Sequence, residues 1–125
     1  MNKSVQAGFT LIELVMVIVI LGVLSAVALP KFVAVDDDAK QAAVNGFAGA
    51  LSSASAINYA GRKANINNGV AVTKCSDVVA MLQSPLPTGF SVTTDSTAAA
   101  NITVSTCVLT GHTNKTATFT VTGIL

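Results

Sequence analysis

From Phe9 to Leu29 the chain reads FTLIELVMVIVILGVLSAVAL, 21 residues with a single charge, Glu13. As a helix this run would be about 31 Å long at roughly 1.5 Å per residue, matching a bilayer hydrocarbon core of about 30 Å. It accounts for much of a composition that is 51% hydrophobic and only 10% charged. The remainder, from Pro30 onward, is about 95 residues of ordinary composition, enough for one small core.

A charge at the bilayer centre costs roughly 2.5–3.5 kcal/mol on insertion scales, and such residues are usually functional. Glu13 therefore needs an explanation. A secretory signal peptide would use Lys3 as its positive region and Ala26-Val27-Ala28 as its cleavage site. Its apolar stretch is typically about 7–15 residues, however, and this one is longer and carries an acid. A plain membrane anchor explains the length and leaves Glu13 unexplained.

A cut between Gly8 and Phe9 would answer the charge. Phe9 would then carry an α-amino group, mostly cationic at neutral pH. Glu13 follows four residues later, one turn along the same helical face, where the helix N-terminus also favours a negative charge. In a bundle of such helices, Glu13 of one could meet the Phe9 amine of another. An unpaired charge in an apolar bundle is costly, so the stagger between copies would settle where amine and carboxylate coincide.

This arrangement resembles the type IV prepilin family. The residues that carry the likeness are a short leader, Met1 to Gly8, with Lys3 and a terminal glycine, then Phe9-Thr10-Leu11-Ile12-Glu13-Leu14, further apolar residues, and Pro30 at the end of the run. The resemblance implies cleavage after Gly8 and N-methylation of Phe9 by a prepilin peptidase, with Glu13 setting assembly register. It also implies a homopolymer, a helical filament of copies of the chain built by inner-membrane assembly machinery. The leader would be cytoplasmic and the globular domain periplasmic before assembly, and extracellular afterwards. In filaments of similar pilins the helix unwinds between positions matching Gly22 and Pro30. In the isolated subunit a kinked but continuous helix is expected, although Gly and Pro both weaken a helix interior. Without Lys3 the mature chain would hold six basic and six acidic side chains, close to neutral.

The implied fold is α+β: residues 1–8 a leader, 9–30 a transmembrane and filament-core helix, and 31–125 a globular pilin domain. The apolar half of the helix would protrude, and the amphipathic half would pack on a small antiparallel sheet. From Lys31, Phe32, Val35, Ala39, Ala43, Phe47, Ala50, Ala54 and Ile57 fall in one stripe at helical spacing. Asp37, Asp38, Gln41, Asn45 and Ser52 lie away from it, and Gly61 reads as the stop.

Residues 62–74 read as a polar connection with Asn67-Asn68-Gly69 as its turn signal. Ser76 is placed to cap a short helix over 77–83, ended by Pro85 and Pro87. Strands are expected over 90–94, 102–109 and 116–122 as an antiparallel meander. Alternation puts Phe90, Val92, Ile102, Val104, Val108, Phe119 and Val121 on the apolar face, with Thr103, Ser105, Thr118 and Thr120 facing out.

Two cysteines, Cys75 and Cys107, favour one disulfide in an oxidising compartment over two free buried thiols. Because Cys107 falls with the outward residues, that bridge is expected at the sheet edge or outer face. Similar pilins also staple their C-terminal region with a disulfide.

No catalytic constellation is visible. His112 is the only histidine and sits between strands, and Asp36-Asp37-Asp38 point in different directions on a helix. No cofactor, metal or small-molecule substrate is expected. A net charge of +1 gives no electrostatic case for nucleic acid, which enters only for a fibre used in DNA uptake.

The leading reading is a subunit of a type IV pilus serving adhesion, motility or DNA uptake. The alternative is a pseudopilin of a type II secretion system. Major pseudopilins usually hold calcium in an acidic C-terminal loop, whereas Asp95 is the only acid here after Asp77. An adhesin presenting Thr-rich strands ranks last, since the pattern exposes no aromatic hot spot.

Overall fold

The computed structural model describes residues 7–125; residues 1–6, with Lys3 of the expected leader, lie outside the described residues. The elements are α1 (Leu11–Ala64), a 3-10 helix (Cys75–Met81), β1 (Ser91–Thr94), β2 (Thr103–Thr110), a 3-10 turn (His112–Asn114) and β3 (Thr116–Thr122). The chain divides into two units, one ending at Asp37 and the other spanning Asp38–Leu125. The expected α+β content is present: a long N-terminal helix, a small antiparallel sheet and one disulfide.

In the first unit α1 runs without interruption through Gly22 and Pro30, so the single chain shows no break at either residue. Pro30 lacks the N–H that would reach the Ala26 carbonyl, but one missing rung leaves its neighbours intact. Ser25 Oγ donates to the Leu21 carbonyl at 2.7 Å, a back-bond of the kind that bends a helix without ending it. Every residue from Leu11 to Ala26 is exposed.

In the second unit the buried face of α1 is Val44, Ala48, Leu51, Ser55 and Asn58. This corrects the expected stripe. Ala39, Ala43, Ala50 and Ile57 do not enter the core, and only Phe47 and Ala54 contribute from the edge. The face is turned because the helix satisfies the sheet with polar side chains. Ser52 Oγ accepts from the Thr120 N–H at 3.1 Å and Ser55 Oγ from the Thr122 N–H at 2.9 Å. Gln41 Nε2 donates to the Thr116 carbonyl at 2.9 Å. The helix also ends later than expected, at Ala64 rather than Gly61. The left-handed turn that a glycine supplies occurs at Gly69, with φ +78.

The sheet is the expected meander, in the order β1-β2-β3, antiparallel throughout. Its faces are not as expected beyond Val104. The β2–β3 register shifts between Val104 and Cys107, three residues on β2 matching two on β3. One extra residue reverses the alternation, as a bulge does. Cys107 and Leu109 therefore turn into the core with Phe119 and Val121, while Val108 leaves it; Ile102, ahead of the strand, is exposed as well, against expectation. Thr103, Ser105, Thr118 and Thr120 do face out.

Cys75 and Cys107 are bonded, with Cα atoms 5.7 Å apart. Both are fully buried, so the bridge lies in the core rather than at the outer face. The short helix also differs from expectation. It is 3-10 in form, starts at Cys75, and is capped by Asp77, not Ser76. Asp77 Oδ2 accepts from the Thr73 N–H at 2.8 Å and the Lys74 N–H at 3.1 Å. Ser76 instead donates its N–H and hydroxyl to Asp95, at 2.8 and 2.9 Å.

Replacing both cysteines with Ser should lower stability by about 3–4 kcal/mol on the chain-entropy model for a loop of this length. A thermal melt of the double variant matching that of the parent would refute this. A second outcome concerns Asp95. The Ser76 backbone N–H above all holds the Asp95 carboxyl below its ordinary value; desolvation opposes it, and the Ser76 hydroxyl and the Lys74 ammonium add lesser lowering. A carboxyl with a lowered folded pKa stabilises above its unfolded pKa, and the gain is lost as pH falls through the folded value. Asp95→Asn should thus cost about 0.5–1 kcal/mol at pH 7, discounted for exposure, and the gap to the parent should close in acid. Denaturation at both pH values checks the sign.

Candidate assembly site

The residues singled out at the N-terminus form a local constellation on the first turns of α1. Thr10 precedes the helix and Glu13 stands in its first turn. Glu13 Oε2 accepts from the Thr10 N–H and from the Thr10 hydroxyl, each at 2.8 Å, and the Glu13 N–H donates to Thr10 Oγ1 at 3.3 Å. This is a reciprocal capping box, Thr at the N-cap and Glu three residues on. It satisfies two of the backbone donors that every helix start leaves open.

Thr10 is a residue that the sequence reading passes over. The T-x-x-E spacing ahead of an apolar run is a capping signal in its own right, and it is present in Thr10-Leu11-Ile12-Glu13. The carboxylate thus has a partner within its own chain. Phe9 carries a peptide nitrogen here, because Gly8 still precedes it.

Phe9 and Glu13 lie on one side of the helix. With Ile12, Met16 and Val17 they line a shallow concavity of about 380 Å³. Phe9 is 93% exposed. Gly8 is exposed too, and a Cβ built on it would meet nothing within 4 Å. The peptide bond between Gly8 and Phe9 is thus flanked by exposed residues ahead of the first helical turn. α1 is long and apolar enough to cross a membrane by length and composition, and its most apolar window has a mean hydropathy of 2.8 with none of it buried.

The other candidates separate. Cys75 and Cys107 are together in the core. Gly22 and Pro30 sit eight positions apart along the helix, with no side chain near the Gly22 Cβ position. His112 stacks edge-on against Phe90 at 5.6 Å between ring centroids, and Phe90 in turn meets Phe47 at 4.9 Å. The histidine thus packs at the end of an aromatic row. Among the described residues no three His, Cys, Asp or Glu side chains converge as a metal site would need.

The constellation coincides with the segment in which the chain is similar to known proteins. Residues 3–29 match the family model of the prokaryotic N-terminal methylation motif. The "Type IV narrow pilus major component PilA5" of Thermus thermophilus is 58% identical over 50 residues, 40% of this chain and 43% of that protein. The "Type IV major fimbrial protein FimA" of Dichelobacter nodosus is 57% identical over 30 residues, 24% of this chain and 19% of that one. The "Type II secretion system core protein G" of Pseudomonas aeruginosa is 41% identical over 54 residues, 43% of this chain and 38% of that one. The chain spans less than half the length of each of these relatives. No solved structure matches it.

Proposed function

We propose that this chain is the precursor of a type IV pilus subunit. The observation that carries the proposal is the methylation motif over residues 3–29, set on a helix whose apolar surface is exposed and whose first turn holds Glu13. A prepilin peptidase would cut after Gly8 and N-methylate Phe9. Before assembly, residues 9–30 would cross the inner membrane with the leader cytoplasmic and residues 31–125 periplasmic. Copies would then be lifted by the inner-membrane pilus machinery into a homopolymer whose apolar helices pack against one another. Extracellular fibres of this kind serve adhesion, motility or DNA uptake.

Exposed apolar area supports polymerisation on energetic grounds. Burying apolar surface is worth roughly 25 cal/mol per Å², so a helix of this kind is stable only in lipid or against other helices. Leaving lipid for a bundle is then nearly neutral, and the polar groups decide the fit. Once cut, Phe9 presents a cationic amine beside a carboxylate that already has two donors from Thr10. Glu13 would hold its own Thr10 and a neighbour's amine together, fixing the stagger. Between Gly22 and Pro30 the helix could unwind in the packed fibre, where neighbours accept the freed backbone groups.

A second reading has one specific observation in its favour, the 41% identity over 54 residues with a type II secretion core protein. The two readings share processing and helix packing and differ in the product. Electron microscopy of sheared surface material, with mass spectrometry of its main subunit, separates them. Thin surface fibres made of this chain support the pilus, and their absence in a strain that secretes through this chain supports the pseudopilus.

Intact-mass analysis of the fibre subunit should show loss of Met1–Gly8 and a gain of one methyl. A mature start at Leu29 would establish a signal peptide instead. Glu13 variants separate register from capping. Glu13→Gln keeps the capping geometry and removes the charge, whereas Glu13→Ala removes both. If charge sets the stagger, both should be processed normally and both should lose fibre yield about tenfold or more, since an unpartnered buried charge costs about 3–5 kcal/mol. Normal fibres from Glu13→Gln would assign the residue to the cap alone.

A further inference from the structure

The dipeptide Asn-Gly occurs twice, at Asn45-Gly46 and Asn68-Gly69. It is the pair most prone to close on itself, because glycine puts no side chain in the path of its own backbone nitrogen. The two copies have the same chemistry and different structures. Asn45 and Gly46 lie inside α1, where the Gly46 N–H is a rung of the helix ladder and Asn45 Oδ1 accepts from Gln41 Nε2 at 3.0 Å. Asn68 and Gly69 lie in the exposed connection after the helix. The Asn68 N–H bonds the Asn65 carbonyl at 2.9 Å, but among the described residues nothing holds the Asn68 side-chain amide or the Gly69 N–H.

We propose that Asn68 is a site of spontaneous deamidation, a self-modification that the fold permits there and suppresses at Asn45. The Gly69 backbone nitrogen gives up its proton and attacks Asn68 Cγ. The C–N bond of the side-chain amide breaks, and ammonia leaves with the proton. The resulting five-membered imide takes up one water at either carbonyl and opens to an ordinary aspartyl residue or to an isoaspartyl linkage. The net change is amide plus water to acid plus ammonia, with no oxidant or cofactor.

The surroundings give this change a consequence. Gly69 is held at φ +78 against the Asn58 side chain, which would collide with any Cβ at that position. Asn58 in turn grips the next residue, accepting from the Val70 N–H and donating to the Val70 carbonyl, each at 2.8 Å. An isoaspartyl link inserts one extra methylene into the backbone just before this grip. It also places a carboxylate on a groove of about 720 Å³ whose lining, Asn68 included, carries no charged side chain. Arg62, with Nη1 3.5 Å from the carbonyl of the adjoining Gly69, is a cation placed at this loop to receive it. A long-lived subunit would therefore acquire one negative charge at this loop with age.

The test is a time course on the full chain in detergent micelles at mildly alkaline pH, beside a reduced and denatured sample, read by peptide mapping. Conversion appears as the amide-to-acid mass increment, with aspartyl and isoaspartyl products resolved as two peaks. In the denatured chain both Asn-Gly pairs should convert. In the folded chain Asn68 should convert more than about tenfold faster than Asn45, since a helix interior opens rarely. Retention of Asn68 in the folded chain, with both pairs reacting when denatured, would overturn the proposal. Equal rates at the two sites in the folded chain would overturn it as well, and so would an unreactive Asn68-Gly69 in the denatured chain. Asn68→Ser should abolish the increment in that peptide and leave the rest of the map unchanged.

Discussion

A strand at the edge of a sheet leaves a row of N–H and C=O groups with no partner, and in this protein α1 supplies the partners. Among the outward-pointing groups of β3, the Thr116 carbonyl and the N–H groups of Thr120 and Thr122 meet Gln41, Ser52 and Ser55 in turn. Where the helix no longer serves, Val72 pairs with Ile124 in both directions, at 2.7 and 3.0 Å. The edge is thus covered at several points along its length. An open edge is a template for uncontrolled pairing with other chains. The helix that carries the apolar surface at its start thus also serves this strand edge further along.

This requirement explains why the buried face of α1 is turned. A helix that only covered a hydrophobic sheet would present its apolar stripe squarely. Here it must also reach backbone groups, so Ser55, bonded to Thr122, and Asn58, bonded to Val70, occupy buried positions among Val44, Ala48 and Leu51. Such polar burial is tolerable because each group is bonded. The core these elements enclose is small, and the buried bridge between Cys75 and Cys107 ties the short 3-10 helix to the middle of β2.

Much of this is legible in the residues alone, but unevenly. The apolar run, the three strands and their meander follow from hydropathy, alternation and turn residues, which are local properties. Faces are harder to read. The bulge between Val104 and Cys107 has no glycine or proline to announce it, and its extra residue reverses the assignment of Cys107, Leu109 and Val108. Polar residues near the helix stripe read as solvent-facing because their partners lie some 70 positions away in sequence, as with Ser52 and Thr120. At the N-terminus the difficulty is of another kind. Glu13 stands out as a charge in an apolar run, and that contrast hides the hydroxyl of Thr10 three residues before it, although the capping signal is local.

The buried position of the disulfide sets how the protein meets reductants. Thiolate attack needs in-line access to a sulfur, and both sulfurs here are shut away from solvent. Exchange must therefore wait for the core to open, so for a given reductant the bond's lifetime scales with the opening equilibrium of the globular unit. Burial therefore protects the link kinetically, while its equilibrium still follows the redox state of its surroundings.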